Sequence, residues 1–396
     1  MPGALDGIRV LDLGTRIGAP FAATLLGELG ADVIKIEQPG TGDFLRTIPP
    51  FDGDVSLFWA VEGRGKRSVT IDLTKPAGQR LLRDLVPHAD VLVENFTPGT
   101  LERWNLAPDE LRSINPRLIV SRVSVYGQDG PYRDRPGLDR NGIALGGLLG
   151  ITGFPDAPPV RPGVIVADYL TALFNTIGIL AALVERPRSD RGQQVELALY
   201  ESVMRVMEWT FAAYDRLGIV RERAGNRLPN SAPLDNYATA DGRYVCIAAA
   251  GDVLFPRLAK AMGREDLLTD ARFATLADRA RNSEAINDEV AAWCRQKSLA
   301  EIERILIAGD VPVSGIYTVE EIASDPQVEA RRSIVGVEDP VLGTVRQQAP
   351  VPRLDRTPLE VKRGAPVLGA HTDEVLIELL GLDRNELERL RDERVI

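Results

Sequence analysis

The sequence predicts an α/β protein: an open, doubly wound sheet plus a smaller α+β region in mid-chain. Three observations carry this. Short β-type runs alternate with helical patterns through the first half, the signature of a sheet covered by helices on both faces. The first of these runs, over residues 8–37, form a βαβ unit, and such units build parallel sheets. Two long irregular connections bracket a middle segment, and 396 residues exceed one ordinary core.

Residues 8–13 make the first strand, closed by Gly14. Ile17, Gly18, Ala19 and Pro20 lead a helix through Leu29, Gly30 ends it, and residues 31–37 are the second strand. Gly14 and Gly18 do not form G-x-G-x-x-G, although Glu37 stands about where a ribose-binding acid would. An adenosine-bearing ligand still suits this strand end. Strands follow at 65–73, 90–96 and 118–124, with a helix over 76–85. Ligands of open α/β sheets sit beyond the carboxyl ends of strands. Residues 14–18, Asn95 with Phe96, and residues 126–131 fall there. Residues 141–153 are glycine-rich, which close packing, a backbone approach to ligand, or loop flexibility would each explain.

Residues 160–168 end in one carboxylate, Asp168, where a helix over 169–185 begins. Apolar residues cover almost every face of that helix, so it is expected to be buried. Asp168 has two readings. One is a cap accepting bonds from the first free amides, which spacing alone favours. The other is a carboxylate nucleophile, kept ionised by the positive helix end.

After a polar turn at 188–192, residues 194–200 start an element that feeds a helix near 201–217. Residues 221–236, broken by Gly225, Pro229, Asn230 and Pro233, are a boundary. The middle region opens on a strand at 244–248 and continues with helices over 255–262, 279–296 and 299–309. Residues 324–356 turn extended and Pro-rich, a second long connection. From 364 the chain closes with His371 to Glu374 capping a helix, then a charged C-terminal helix. The tail is expected to return to the first domain. The division is then 1–200 with 331–396 as the large domain, 201–225 as linker, and 226–330 as the small α+β domain.

Composition narrows function. With 44% hydrophobic and 26% charged residues the chain is globular. Net charge −10 and the lack of a basic run give no reason to expect a nucleic-acid partner. Cys246 and Cys294 make no metal or redox motif, in keeping with a reducing cytoplasm. The first seven residues carry no leader pattern. The helix after Asp168 is read as too short and too interrupted to span a membrane, so no membrane partner is expected. His88 and His371 are the two histidines, which weighs against His-based metal sites and Ser–His–Asp catalysis. No metal is expected, and an enzyme here must work with carboxylates, backbone amides and Arg or Lys.

Several stretches match a known pattern together: Leu5-Asp6-Gly7-Ile8-Arg9-Val10-Leu11-Asp12, Leu29-Gly30-Ala31-Asp32-Val33-Ile34-Lys35-Ile36-Glu37, Gly65-Lys66-Arg67-Ser68, Val93-Glu94-Asn95-Phe96, Asn115-Pro116-Arg117-Leu118-Ile119, Arg191-Gly192-Gln193, and Leu368-Gly369-Ala370-His371-Thr372-Asp373-Glu374-Val375-Leu376. Through them the chain resembles the family III CoA transferases of the CaiB/BaiF type over essentially its whole length. The resemblance implies a large Rossmann-like domain from both chain ends, a small middle domain, two long linkers and an interlocked homodimer. It also implies that Asp168 attacks an acyl-CoA thioester to form a mixed anhydride, then an aspartyl-CoA thioester from which the acceptor acid collects CoA. CoA is then a substrate, and no cofactor is held permanently.

Carried over residue by residue, the CoA contacts are Ile17, Gly18, Gln38, Ile71, Asp72, Leu73, Thr74, Asn95, Phe96 and Arg103, with Arg135 for phosphate. The chain departs from the pattern at Gln38, where Arg is frequent, and at Thr74, where Lys occurs. The related α-methylacyl-CoA racemases need a His–Asp pair where this chain has Leu138-Asp139. Leu cannot move a proton, which favours transferase over racemase or isomerase and leaves Asp139 to hold substrate or a catalytic loop. The stretch Asn230-Ser231-Ala232-Pro233-Leu234-Asp235-Asn236-Tyr237 is similar to members that move CoA from succinyl-CoA to malate, citramalate or mesaconate. The partners implied are an acyl-CoA and a small carboxylic acid. A dicarboxylate keeps one free carboxylate, which an Arg fork suits; Arg16 is the candidate, with a surface Arg the other reading. An NAD(P)-dependent oxidoreductase, prompted by the βαβ unit, lacks its glycine fingerprint. A non-catalytic acyl-CoA-binding protein would bind CoA and trap no intermediate.

Overall fold

The computed structural model describes residues 3–396; Met1 and Pro2, the start of the stretch read for a leader, lie outside them. Six strands form the main sheet: β1 Arg9–Asp12, β2 Asp32–Glu37, β3 Lys66–Thr70, β4 Val91–Glu94, β5 Ile119–Ser124 and β6 Gln194–Ala198. All pair in parallel, in the order β3-β2-β1-β4-β5-β6. This is the order of dinucleotide-binding folds, and it reverses between β1 and β4. The inner strands are apolar on both faces, as helices on both sides require: Val10, Leu11, Ile34, Val91, Leu92, Ile119 and Val120 are all fully buried.

Helix α1, Pro20–Glu28, joins β1 to β2, and α2, Pro76–Leu85, follows β3. Three more helices lie together: α3 Asp139–Leu145, α4 Val166–Ser189 and α5 Leu199–Arg205. The glycine-rich segment explains how they fit. A Cβ on Gly142 would stand 2.8 Å from Leu199 Cβ, and one on Gly146 would stand 2.5 Å from Val203 Cβ. These two glycines serve close packing, not loop flexibility.

Helix α4 departs from expectation in three ways. It begins at Val166, so Asp168 lies inside it, and it continues past Pro187 to Ser189. It is not buried all round: Leu173, Ile177 and Val184 are 47%, 61% and 75% exposed. It is also long and apolar enough to meet the measure of a membrane span, which corrects the reading that it is too short. Its buried face nevertheless carries Thr171, Asn175, Thr176 and Arg186 and packs on β5 and β6. The expected helix over 201–217 is two helices, α5 and Thr210–Leu217. Glu208, with φ 55°, lies in the break.

The second connection is also not open chain. Ile334–Asp339 and Gly343–Gln348 pair as an antiparallel hairpin, which Arg64 grips through Gln347 Oε1 at 3.1 Å and the Gln348 carbonyl at 2.8 Å. The tail docks on β3: Arg67 pairs with Glu374 and Glu378 at 3.1 and 2.7 Å, and the Asp72 N–H donates to the Val395 carbonyl.

By its internal contacts the chain divides into two units. The first comprises the chain up to Leu148 together with Pro162–Ala212 and Ala330–Ile396, and the second comprises Leu149–Arg161 and Ala213–Glu329. Residues 149–161 therefore fall with the second unit, and the stretch read as a linker at 201–225 is divided between the two. The second unit holds an antiparallel sheet of β7 Leu234–Ala238, β8 Tyr244–Ala248 and β9 Val313–Gly315, in the order β9-β8-β7. Tyr237, Val245, Ile247, Phe255, Ile286 and Val290 form its core. The helix expected over 279–296 breaks at Asn282 into Leu276–Arg281 and Ser283–Cys294. Asn282 Nδ2 donates to the Asp278 carbonyl at 2.9 Å, satisfying an end of the first helix. The fully buried Arg279 donates to the carbonyls of Ala232, Phe273 and Ala250 at 3.2, 2.9 and 2.6 Å, which fixes the loop ahead of β7.

Candidate active site

Where the strand order reverses, two loops must diverge, and a crevice opens beyond the strand ends. Here those loops follow β1 and β4. They are stapled by one amide: the Thr15 N–H donates to Asn95 Oδ1 at 2.8 Å, and Asn95 Nδ2 donates to the Thr15 carbonyl at 2.7 Å. Beneath them lies a buried charge quartet that the sequence reading missed. Lys66 Nζ donates to Asp12 Oδ2 at 2.8 Å, and Lys35 pairs with Asp43 at 3.0 Å and with Asp12 at 3.6 Å. Lys35 Nζ also donates to the Gly14 carbonyl, and the Gly14 N–H to Asp12 Oδ1. Two acids and two ammonium groups cancel, as buried charges must. The signal was available: Asp12 and Lys35 each interrupt an apolar strand.

Arg16 follows with φ 66°. This left-handed backbone is held by its N–H donating to Asp43 Oδ1 at 3.1 Å, and its guanidinium lies 3.8 Å over the Phe44 ring. The turn brings Gly18 against α4. A Cβ there would stand 2.9 Å from Asp168 Oδ1 and 3.4 Å from Val123 Cγ1, so glycine leaves the space the carboxylate occupies.

Asp168 is the third residue of α4 and makes no capping bond; the cap position belongs to Ile165, whose side chain makes none either. The capping oxygen comes from α3: Asp139 Oδ1 accepts from the Ala167 N–H at 2.7 Å and the Asp168 N–H at 3.3 Å. Nor does the helix end keep Asp168 readily ionised. Burial, then the like charge of Asp139, push its carboxyl up to about 7, against the pull of Arg16.

Two adjoining clefts receive the residues read from the sequence. The first is walled by Thr15, Arg16, Asn95, Phe96, Tyr126, Arg133, Arg135, Asp139 and Asp168, with the apolar Leu138 among them. The second is walled by Gln38, Phe44, Ile71, Leu73 and Trp104. Thr15 and Phe96 belong to both. Arg135 stacks 3.5 Å over Tyr132, and Phe96 meets Trp104 edge-on at 5.2 Å. Trp104 and Phe44 were not singled out from the sequence.

Five of the named residues, Ile17, Gly18, Asp72, Thr74 and Arg103, are in neither cleft wall. Ile17 is buried with Leu45, Trp59 and Ala365. Asp72 accepts from the Thr74 N–H and hydroxyl at 3.0 and 2.6 Å, closing the turn after β3. The exposed Arg103 donates to Thr100 Oγ1 at 2.8 Å. Glu37 does line the second cleft, but its carboxylate is already engaged and not available to a ribose: it accepts from Arg46 twice at 2.8 Å, from Ser68 Oγ at 2.5 Å and from the Asp43 N–H at 2.8 Å.

Sheet order and clefts define an α/β protein that binds at its strand ends and presents a carboxylate there. A family model described as CoA-transferase family III matches residues 5–372. The chain is 46% identical over 397 residues to the succinyl-CoA–D-citramalate CoA-transferase of Chloroflexus aurantiacus, covering 100% of this chain and 98% of that one. It is 44% identical to the succinyl-CoA–L-malate CoA-transferase beta subunit of the same organism, covering 99% and 98%. Against the succinyl-CoA:mesaconate CoA-transferase of Haloarcula hispanica the identity is 36%, covering 98% and 99%. A crystal structure of a CaiB/BaiF family protein from Brucella suis superposes with a TM-score of 0.85 at 34% identity, covering 96% of this chain and all of that one. The chain belongs to CoA-transferase family III, and it is an enzyme of that class.

Proposed function

We propose that this enzyme moves CoA from succinyl-CoA to a C4–C5 dicarboxylate such as malate, citramalate or mesaconate, through covalent intermediates on Asp168. The observation that carries the mechanism is the Asp168 carboxylate, uncapped, against Gly18 at the strand-order reversal. The names of the similar proteins support the choice of donor and acceptor.

In this reading an Asp168 oxygen attacks the succinyl-CoA carbonyl carbon, the C–S bond breaks, and CoA leaves as thiolate. The thiolate then attacks the aspartyl carbonyl of the mixed anhydride and expels succinate, leaving an aspartyl-CoA thioester. The acceptor carboxylate attacks that carbonyl, the thiolate leaves again, and its attack on the acceptor's acyl carbon frees Asp168. The nucleophile must shed its proton first; no further general base is needed. Arg16 takes the distal carboxylate of the acid, while Arg135, Gln38, Ile71, Leu73 and Phe96 contact CoA. CoA is substrate here, not a resident group.

The proposed setting is the cytoplasm, in keeping with the unpaired thiols of Cys246 and Cys294. The assembly is a homodimer with interlocked chains; the exposed Leu173, Ile177 and Val184 are a face for the second copy. Light scattering tests this, and a monomer at micromolar concentration would overturn it. The function is tested by incubating wild type and Asp168→Ala with a panel of acyl-CoA donors and acids, and weighing products and protein. Wild type gives citramalyl-, malyl- or mesaconyl-CoA and a CoA adduct on the Asp168 peptide. Full transfer by the Ala variant would sink the mechanism.

A further inference from the structure

We propose that Asp139 is the positioning residue for Asp168, capping α4 from outside the helix so that the reactive carboxylate stays uncommitted in the cleft. This rests on the reading of Asp168 as nucleophile. The first amides of a helix have no partners within it. Ile165, at the cap position, offers no oxygen, and an acid at the third helical position commonly folds back onto the cap residue's N–H. Asp168 stands at that third position and makes no such bond. Instead Asp139 Oδ1 takes both the Ala167 and Asp168 N–H groups.

Asp139 is itself fixed. Asn141 Oδ1 accepts from the Leu138 N–H at 3.0 Å, locking the turn in front of α3. Gly142 lets α3 approach α4: a Cβ there would stand 3.3 Å from Ala167 Cβ, in the very turn being capped. The remaining surroundings of Asp168 are unlike Asp139. The β1–α1 loop presents Arg16 and Gly18, and β5 presents Val123. The adjacent Tyr169 gives its hydroxyl to Glu62 at 2.7 Å. Asp139 thus brings an accepting oxygen and a negative charge together to the first turn of α4, and the two effects separate by substitution.

The experiment compares wild type, Asp139→Asn and Asp139→Ala in kcat, in KM for both substrates across pH, and in the mass of the Asp168 peptide. Asn keeps the accepting oxygen and removes the charge. It is expected to recover most of kcat and to move the acid limb of the kcat profile roughly one unit lower. Ala removes both and is expected to lose about 10- to 100-fold in kcat, the scale of a misplaced reacting group, with KM little changed. Wild-type kcat in the Ala variant, an unshifted limb in the Asn variant, or a loss in acceptor KM alone would each overturn the proposal; the last would make Asp139 a substrate ligand. An unmodified Asp168 in turning-over wild type would instead remove the nucleophile reading beneath it.

Discussion

A carboxyl whose ordinary pKa is 3.8 holds its proton to about 7 at Asp168, because burial and Asp139 both disfavour the charge. The consequence for stability has a definite sign. A folded-state pKa above the unfolded value gives stability that is present below the unfolded pKa and lost as pH rises through the folded one. Asp168 therefore costs progressively more between pH 4 and 7 and a constant amount above. Asp168→Asn, which cannot ionise, should gain about 1–3 kcal/mol over wild type at pH 8, and the gain should fade toward pH 4. Thermal melts across pH check this, and a constant difference at every pH would contradict it. On the proposed nucleophilic role of Asp168 the same proton sets turnover, so wild-type kcat should rise through pH 7 while stability falls. Little of this was legible locally. Spacing put a carboxylate at a helix start and favoured a cap; the residue that caps lies 29 positions away, and no periodicity connects the two.

At the scale of elements, what could be read followed burial. The inner strands, covered on both faces, are mostly apolar runs, and their bounds agree with the sequence pattern nearly to the residue. The strand at 244–248 was read correctly because its turn, Asp241-Gly242, precedes it. The hairpin at 334–348 was not, since half of it faces solvent and Pro340 and Gly343 look like loop punctuation. The long helix was over-read as wholly buried because composition cannot tell which apolar face lacks a neighbour. Gly142 within α3 and Gly146 at its end show the opposite case, where the right explanation was one of three until geometry chose. Their packing makes a test: Gly146→Ala puts a methyl 2.5 Å from Val203 Cβ. It should cost about 1–3 kcal/mol by overpacking, read as a lower denaturation midpoint with an unchanged slope. No loss would mean that α3 and α5 can part freely.

Over the whole molecule, the six-strand order brings residues from three distant parts of the chain, near 15, 95 and 168, to one crevice. Alternating patterns announce the sheet but carry nothing about the order in which its strands lie, so the meeting of Asn95 with Thr15, or of Gly18 with Asp168, was not legible in the sequence. Of the contacts that the family resemblance implies, Ile17, Gly18, Asp72, Thr74 and Arg103 lie outside the two cleft walls, and Thr74 is also a position where the chain departs from the pattern. Side chains that interrupt apolar strands, Asp12 and Lys35, pointed to an internal network without naming its partners.

That quartet of two acids and two lysines has a consequence for how the enzyme should respond to ionic strength. Mobile ions screen charges they can surround, and at about 0.5 M salt the screening distance shrinks to roughly 4 Å. They cannot surround Asp12, Lys35, Asp43 and Lys66, all shut away from solvent, so the loop that carries Arg16 and Gly18 should keep its shape from dilute buffer to brine. The arginines at the mouth, Arg133 and Arg135, stand in the water and should lose their hold on a polyanionic substrate. Raising potassium chloride should therefore increase KM for succinyl-CoA severalfold and leave kcat nearly flat, a separation of capture from turnover that steady-state kinetics in graded salt would display.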